Sequence, residues 1–339
     1  MLSDQDLGLL DRIWHRFGAH RPPSRPAGKE NRRALSFAPG LGPRADAARN
    51  FLRTGGRLGR TGESPALLKA RTSYFREEYA YGDDLVAPGI DSFMANEQLR
   101  EAAKAVFGMP LVIPFVAYGN LLVPGQELGL HTDVPAFRGA DRNVLPLWLL
   151  VAMRHSGLFE RWRIPIATAV SFVGESPGGE FACYPQGADG PVTELRPEPG
   201  TVVILDADTV FHGVDRVGGD DSGVRSATTG KLRLTLGAGR TWQLSTGGPG
   251  DPPSHFRYGS DELRFSVSWK SYCFSDEEDL DRWRSHSDDL AIHTVRKTFE
   301  DELTRLGTAV RELSDTELAV AVIDTFVRFP ESSAAGLPR

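Results

Sequence analysis

Arg264-Phe-Ser-Val-Ser-Trp-Lys270 alternates strictly between polar and apolar residues, and this fixes what the segment can become. Successive side chains of a strand point to opposite faces, so the run predicts a β-strand with Arg264, Ser266, Ser268 and Lys270 on one side. Phe265, Val267 and Trp269 then share the other. A strand with a greasy face has to pair with others and pack, and the chain supplies them. Residues 111–123, rich in Val, Ile, Phe and Tyr, lead to the Pro124-Gly125 turn, and residues 164–173 form a second strand-like run. Gly178-Gly179-Glu180-Phe181 reads as part of a hairpin, and the Pro197-Glu-Pro-Gly200 turn precedes an apolar run at 201–205. Residues 210–214 continue after a polar break as a further short strand, or as the end of one bent strand.

The ends of the chain read differently. Residues 4–17 and 91–107 carry helical spacing, the latter stopped by Gly108 and Pro110, and helical patterns return at 276–283, 292–306 and 315–329. The apolar run 145–153 fits a helix or a buried strand equally well. The expected organisation is an N-terminal helical or irregular extension over 1–109, a β-rich core over 110–274 and a C-terminal helical extension over 275–339. A formal net charge of −6 gives no general attraction to nucleic acid or to an acidic membrane surface, so neither is an expected partner. The acidic start MLSDQD lacks the basic region and apolar core of an export signal, and Cys183 and Cys273 stand far apart, so two reduced thiols in the cytoplasm are expected. Against the acidic whole, residues 21–60 hold ten Arg or Lys and only Glu30 and Asp46. That segment is either a solvated irregular surface or a lid for an anionic substrate.

His131-Thr-Asp133 follows the Pro-Gly turn on a strand-like stretch. In extended chain its two outer side chains point the same way and can grip one ion, whereas on a helix they diverge by roughly 200°. The spacing alone means little: eight histidines and 45 acidic residues in 339 positions give about one His-x-[Asp/Glu] match by chance. A second match, His286-Ser-Asp288, falls in predicted helix and is set aside. His212 on another strand completes a set of two imidazoles and one carboxylate, a facial triad that leaves open positions on Fe(II) for a bidentate co-substrate and dioxygen.

The order His131-Thr-Asp133, His212, Arg264-Phe-Ser266 resembles the His-x-Asp…His…Arg-x-Ser pattern of the Fe(II)/2-oxoglutarate-dependent oxygenases. The glycine hairpin at 178–181, the Pro-x-x-Gly turn and Phe211-His-Gly-Val214 also resemble central strands of that family, and the likeness spans roughly 110–274. The resemblance implies an α+β chain with a double-stranded β-helix (jelly-roll) core flanked by N-terminal and C-terminal helices. It implies iron on His131, Asp133 and His212, O2 as oxidant and 2-oxoglutarate as co-substrate. It also implies that Arg264 and Ser266 hold the distal carboxylate, a guanidinium fork being suited to that task. Arg264 lies 52 residues after His212, which requires an insertion, and Arg233 is the alternative. Hydroxylation of a small molecule, an amino acid or natural-product intermediate, is the expected outcome. Desaturation and ring closure stay open, and Asp133 argues against halogenation. Tyr118, Asn120, Arg138 and Trp148, with Arg142, are substrate-pocket candidates by position, against packing for the aromatics and solvated charge for the arginines. A cupin-type metalloenzyme without a keto acid, or a non-catalytic jelly-roll binding protein, are the competing readings. The oligomeric state is not fixed by the sequence.

Overall fold

The computed structural model describes residues 9–10, 38, 41–57, 62–196, 198–227, 232–237, 241–246 and 254–331. Its strands are, in chain order, β1 (Phe75–Tyr81), β2 (Asp84–Leu85), β3 (Leu111–Leu122), β4 (Leu128–His131), β5 (Ala136–Phe137), β6 (Arg163–Ile164), β7 (Ile166–Phe172) and β8 (Phe181–Cys183). There follow β9 (Thr193–Leu195), β10 (Val202–Asp206), β11 (His212–Val214), β12 (Leu232–Leu236), β13 (Trp242–Thr246), β14 (Ser254–Tyr258) and β15 (Arg264–Phe274). The helices are α1 (Ala45–Thr54), α2 (Pro65–Thr72), α3 (Ile90–Met94), α4 (Glu97–Phe107), α5 (Leu147–Ser156), α6 (Ser222–Arg225), α7 (Glu277–Ser285), α8 (Ile292–Arg305) and α9 (Asp315–Phe326).

The strand announced by its alternation, β15, sits inside the largest sheet, ordered β10-β7-β15-β3-β1-β2, with antiparallel neighbours on both edges. Phe265, Val267 and Trp269 point into one core together with Tyr79, Phe93 and Leu99, and the indole of Trp269 donates to Met94 O at 3.2 Å. Full burial of each such side chain stabilises the fold by about 2 kcal/mol. The polar face is buried as well: Arg264, Ser266 and Ser268 are each 2% exposed and Lys270 8%. It looks across a cavity toward a second antiparallel sheet, ordered β4-β11-β8-β9.

The interval between His212 and Arg264 holds a separate antiparallel sheet, β12-β13-β14, which accounts for its length. The ambiguous 145–153 run is helix α5, set off by Pro146 and closed by Gly157 in the left-handed region (φ 70°). It is buried on nearly every side because α8 and α9 pack against it, with Leu149, Phe299, Leu303 and Val322 in a second core. The segment before residue 110 is not only helical or irregular, as expected: β1 and β2 extend the largest sheet. The 91–107 helix is two helices, α3 and α4, parted at Asn96, whose side chain caps Leu99 N at 3.0 Å. Of the helix expected over 4–17, only residues 9–10 are described. Among the described residues no helix is long and apolar enough to cross a membrane.

Candidate metal centre

Strand pairing builds the centre. His131 ends β4 and lies directly opposite His212 on β11, so both imidazoles leave the same face of the second sheet, with ring centroids 4.5 Å apart. Asp133 follows two residues on, its backbone N–H tied to Ala207 O at 2.7 Å. Its Oδ1 stands 3.7 Å from His131 Nε2 and 4.0 Å from His212 Nε2. Donor atoms of the three side chains all fall within 4.8 Å of one another. Each histidine spends its other nitrogen on its own strand: His131 Nδ1 donates to Gly129 O at 2.8 Å and His212 Nδ1 to Val210 O at 2.9 Å. That bond fixes the tautomer, leaving both Nε2 lone pairs turned to the shared point, as metal-ligating histidines require. Burial and the neighbouring His131 push His212 down to about 4, so it is neutral and able to ligate near pH 7.

Lys270, on the polar face of β15, donates to Asp133 Oδ2 at 2.5 Å. The ammonium holds one carboxylate oxygen away and aims the other at the histidines. Burial acts against both charges, yet Lys270, with help from the histidines, keeps Asp133 well below the ordinary carboxylate range, and Asp133 raises Lys270 in return. A set of two imidazoles and one carboxylate with a free side fits a divalent first-row metal such as Fe(II).

The cavity in front of these ligands measures about 240 Å³. Arg264 reaches it from β15. Its Nε donates to Gly179 O at 2.7 Å and its Nη1 lies 3.5 Å from Ser266 Oγ, while Nη2 is buried without a partner among the described residues. Burial pushes the guanidinium down to about 10, which leaves it cationic at neutral pH. Gly179 is needed here: its φ is +73°, and a Cβ would come within 2.7 Å of Arg264 Cδ. Gly179→Ala is expected to displace Arg264 and to cost about 1–3 kcal/mol of stability, measured by urea unfolding, with weaker binding of any anion held by that guanidinium.

Other candidates separate cleanly. Tyr118, Asn120 and Arg142 line the cavity. Arg138 does not: it is held by Asp288 at 2.7 Å and Asp279 at 3.1 Å. Trp148 is 2% exposed within the helical core. Arg233 is exposed on β12, away from the cavity lining, as is Arg225 on α6. Against the expectation of helix, residues 286–288 form a turn after α7: His286 caps the helix at φ 55° beside Asp289, and Asp288 belongs to Arg138. Cys183 and Cys273 are buried free thiols. Lys270 shares the face of Arg264 in the alternation, so its presence was readable, although its bond to Asp133 was not. Arg44 and Arg76 also line the cavity; Arg44 falls in the basic 21–60 segment, whereas Arg76 lies outside it and no local pattern links it to β4.

Behind the ligands, His155 stacks on Phe211 with centroids 5.0 Å apart and meets Thr132 Oγ1 at 3.2 Å. Burial, then Arg154, push it down to about 4. A base whose folded value lies below its unfolded one favours the neutral form in the native state. Its stabilisation is therefore complete above the unfolded value of about 6.5 and is lost as pH falls toward 4. His155→Gln is expected to flatten this part of the stability curve by up to about 3 kcal/mol, read by urea unfolding of both proteins between pH 7 and pH 4.

No protein-family model and no curated protein matches the sequence. Among solved structures the chain is similar to a prolyl-4-hydroxylase of Pseudomonas putida, at 15% identity over 61% of this chain and 72% of that one, TM-score 0.32. An oxidoreductase of the 2OG-Fe(II) oxygenase family from Burkholderia pseudomallei matches at 14% identity over 67% and 80%, TM-score 0.34. HygX of Streptomyces hygroscopicus, solved with nickel and 2-oxoglutarate bound, matches at 11% identity over 62% and 87%, TM-score 0.30. With identities and superpositions this low, the chemistry has to be argued from the side chains themselves.

Proposed function

We propose that this chain is a non-haem Fe(II)- and 2-oxoglutarate-dependent oxygenase acting on a small molecule. Its two facing sheets are read as a double-stranded β-helix (jelly-roll) core. The observation that carries the reading is Arg264: a cationic guanidinium, fully buried, with Nη2 unmatched, on the wall of the cavity that also holds the triad. Burial outweighs the attraction of the nearby Glu180 carboxylate, and a buried cation so poorly compensated costs several kcal/mol, so an anion belongs beside it. Ser266, on the same face, offers a hydroxyl to the same group.

His131, Asp133 and His212 would hold Fe(II), with Lys270 fixing the carboxylate. Arg264 and Ser266 would take the distal carboxylate of 2-oxoglutarate. When bound, this pair supplies dioxygen reduction coupled to decarboxylation of the keto acid to succinate and oxidation of the substrate, by hydroxylation in the simplest case. The protein's part is to orient both carboxylates, to keep His212 neutral, and to bring substrate to the open side of the metal between the two sheets. A cupin-type metalloenzyme would have no use for Arg264.

The test is titration of 2-oxoglutarate into protein held without oxygen, with and without Fe(II). One equivalent is expected to bind when the metal is present, and 2-oxoglutarate to be consumed once oxygen is admitted. Failure to bind 2-oxoglutarate with iron in place would sink the reading.

A further inference from the structure

The cavity carries more positive charge than the reaction components above can use. Arg44, Arg76, Arg142, Arg264 and Lys270 line it against Asp133 and Asp141. Arg44 is matched outside the lining by Asp46, at 3.1 and 2.8 Å, and Lys270 by Asp133. On the oxygenase reading, on which this inference rests, a divalent metal and a doubly charged keto acid cancel. Among groups that line the cavity or ion-pair within 4.0 Å with one that does, two positive charges then remain; Arg76 and Arg142 are the two cations that the co-substrate does not engage, with Glu78 acting on Arg76 and Glu180 on Arg264 from outside that set. Neither forms an ion pair within 4.0 Å with a described carboxylate. Arg76 sits on β1, exposed at the rim, with its guanidinium 3.6 Å above the centre of the Tyr118 ring. Arg142 is half-buried and close enough to Lys270 and Tyr272 to act on their charges. Cations at a cavity mouth with low-dielectric walls raise the local concentration of anions and orient them on entry. The Tyr118 ring under Arg76 holds that guanidinium by its face and Tyr74 takes part of its N–H edge, so that the remaining N–H groups are open to an anion.

We infer that the primary substrate is an anionic small molecule whose carboxylate or phosphate is taken by Arg76 and Arg142 at the rim, with its apolar body against the tyrosine-rich wall. Charge recognition is thus divided. Arg264 serves the co-substrate in the depth of the cavity, and the two outer arginines serve the molecule to be oxidised.

The test uses protein held without oxygen and saturated with Fe(II) and 2-oxoglutarate, titrated calorimetrically with benzoate, phenyl phosphate and benzamide. At least one of the two anions is expected to bind ten or more times more tightly than benzamide, and the tighter of them names the group. The doubly substituted R76Q/R142Q protein is expected to lose that preference, each single variant losing part of it, with 2-oxoglutarate affinity kept within threefold. Equal binding of anions and benzamide, absence of anion binding, a preference that survives in R76Q/R142Q, or anions that displace 2-oxoglutarate instead of binding beside it would each overturn the inference. If the wild-type protein does not bind 2-oxoglutarate at all, it is the oxygenase reading that falls.

Discussion

His212→Ala is expected to abolish 2-oxoglutarate consumption, by a factor of at least about 1,000, and to lower iron affinity by about 100-fold or more. Outer partners of a ligating histidine already contribute 10–100-fold to metal affinity, and His212 is itself one of three donors. Its loss leaves a single imidazole and Asp133, and Asp133 is drawn toward Lys270 at 2.5 Å. The fold should survive. His212 is buried but already borders the cavity, so truncation enlarges existing space instead of opening a void in a packed core. The measurements are metal content after purification without oxygen, 2-oxoglutarate consumption, and urea unfolding as the control. A variant that retains stoichiometric iron and turns over 2-oxoglutarate would remove His212 from the centre and the triad with it.

How much of this was legible beforehand depends on distance along the chain. The period-two pattern of β15 is a local signal, and it correctly placed Arg264, Ser266, Ser268 and Lys270 on one face of a strand. The extended geometry needed by His131-x-Asp133 is local too, and it rejected His286-x-Asp288, although these residues lie in a turn after α7 and not in the helix expected there; the structure divides them between a helix cap and the Arg138 ion pairs. The direct pairing of His131 with His212, eighty-one residues apart, is set by sheet register, which no short window encodes. For the same reason Arg76 could not be found. It enters the cavity because β1 pairs with β3, placing Arg76 opposite Asn120 and Asn120 opposite Ser266. Nearness in sequence misled in the other direction, since Arg138 and Trp148 follow the metal strand closely yet turn away into ion pairs and helical core. Periodicity could not decide 145–153 because a helix covered on nearly all sides has no polar stripe to display.

Arg264→Met is expected to raise the 2-oxoglutarate concentration needed for half-maximal binding by about 100-fold or more while leaving the unliganded protein as stable as before, or more so. The two effects have opposite origins. Removing one partner of a buried charge pair costs about 2–5 kcal/mol of binding, and the guanidinium would be that partner for the co-substrate. In the unliganded fold, however, Arg264 satisfies Nε on Gly179 O, makes a long contact with Ser266, lies 5.3 Å from the centre of the Phe172 ring and leaves Nη2 unmet, with burial outweighing the attraction of Glu180 and holding it down at about 10. A buried cation in that state is a net expense, and an apolar side chain of similar length relieves it. A purely structural arginine predicts the reverse pattern: lost stability and unchanged affinity. Arg233→Ala serves as the companion, since Arg233 is exposed on β12 and should change neither quantity. Calorimetric titration of 2-oxoglutarate into the Fe(II)-loaded proteins, set beside their urea unfolding curves, separates the cases. Unaltered affinity in Arg264→Met with a loss in Arg233→Ala would move the co-substrate site to the inserted sheet. Unaltered affinity in both would mean that the cavity holds its metal for a reaction that needs no keto acid.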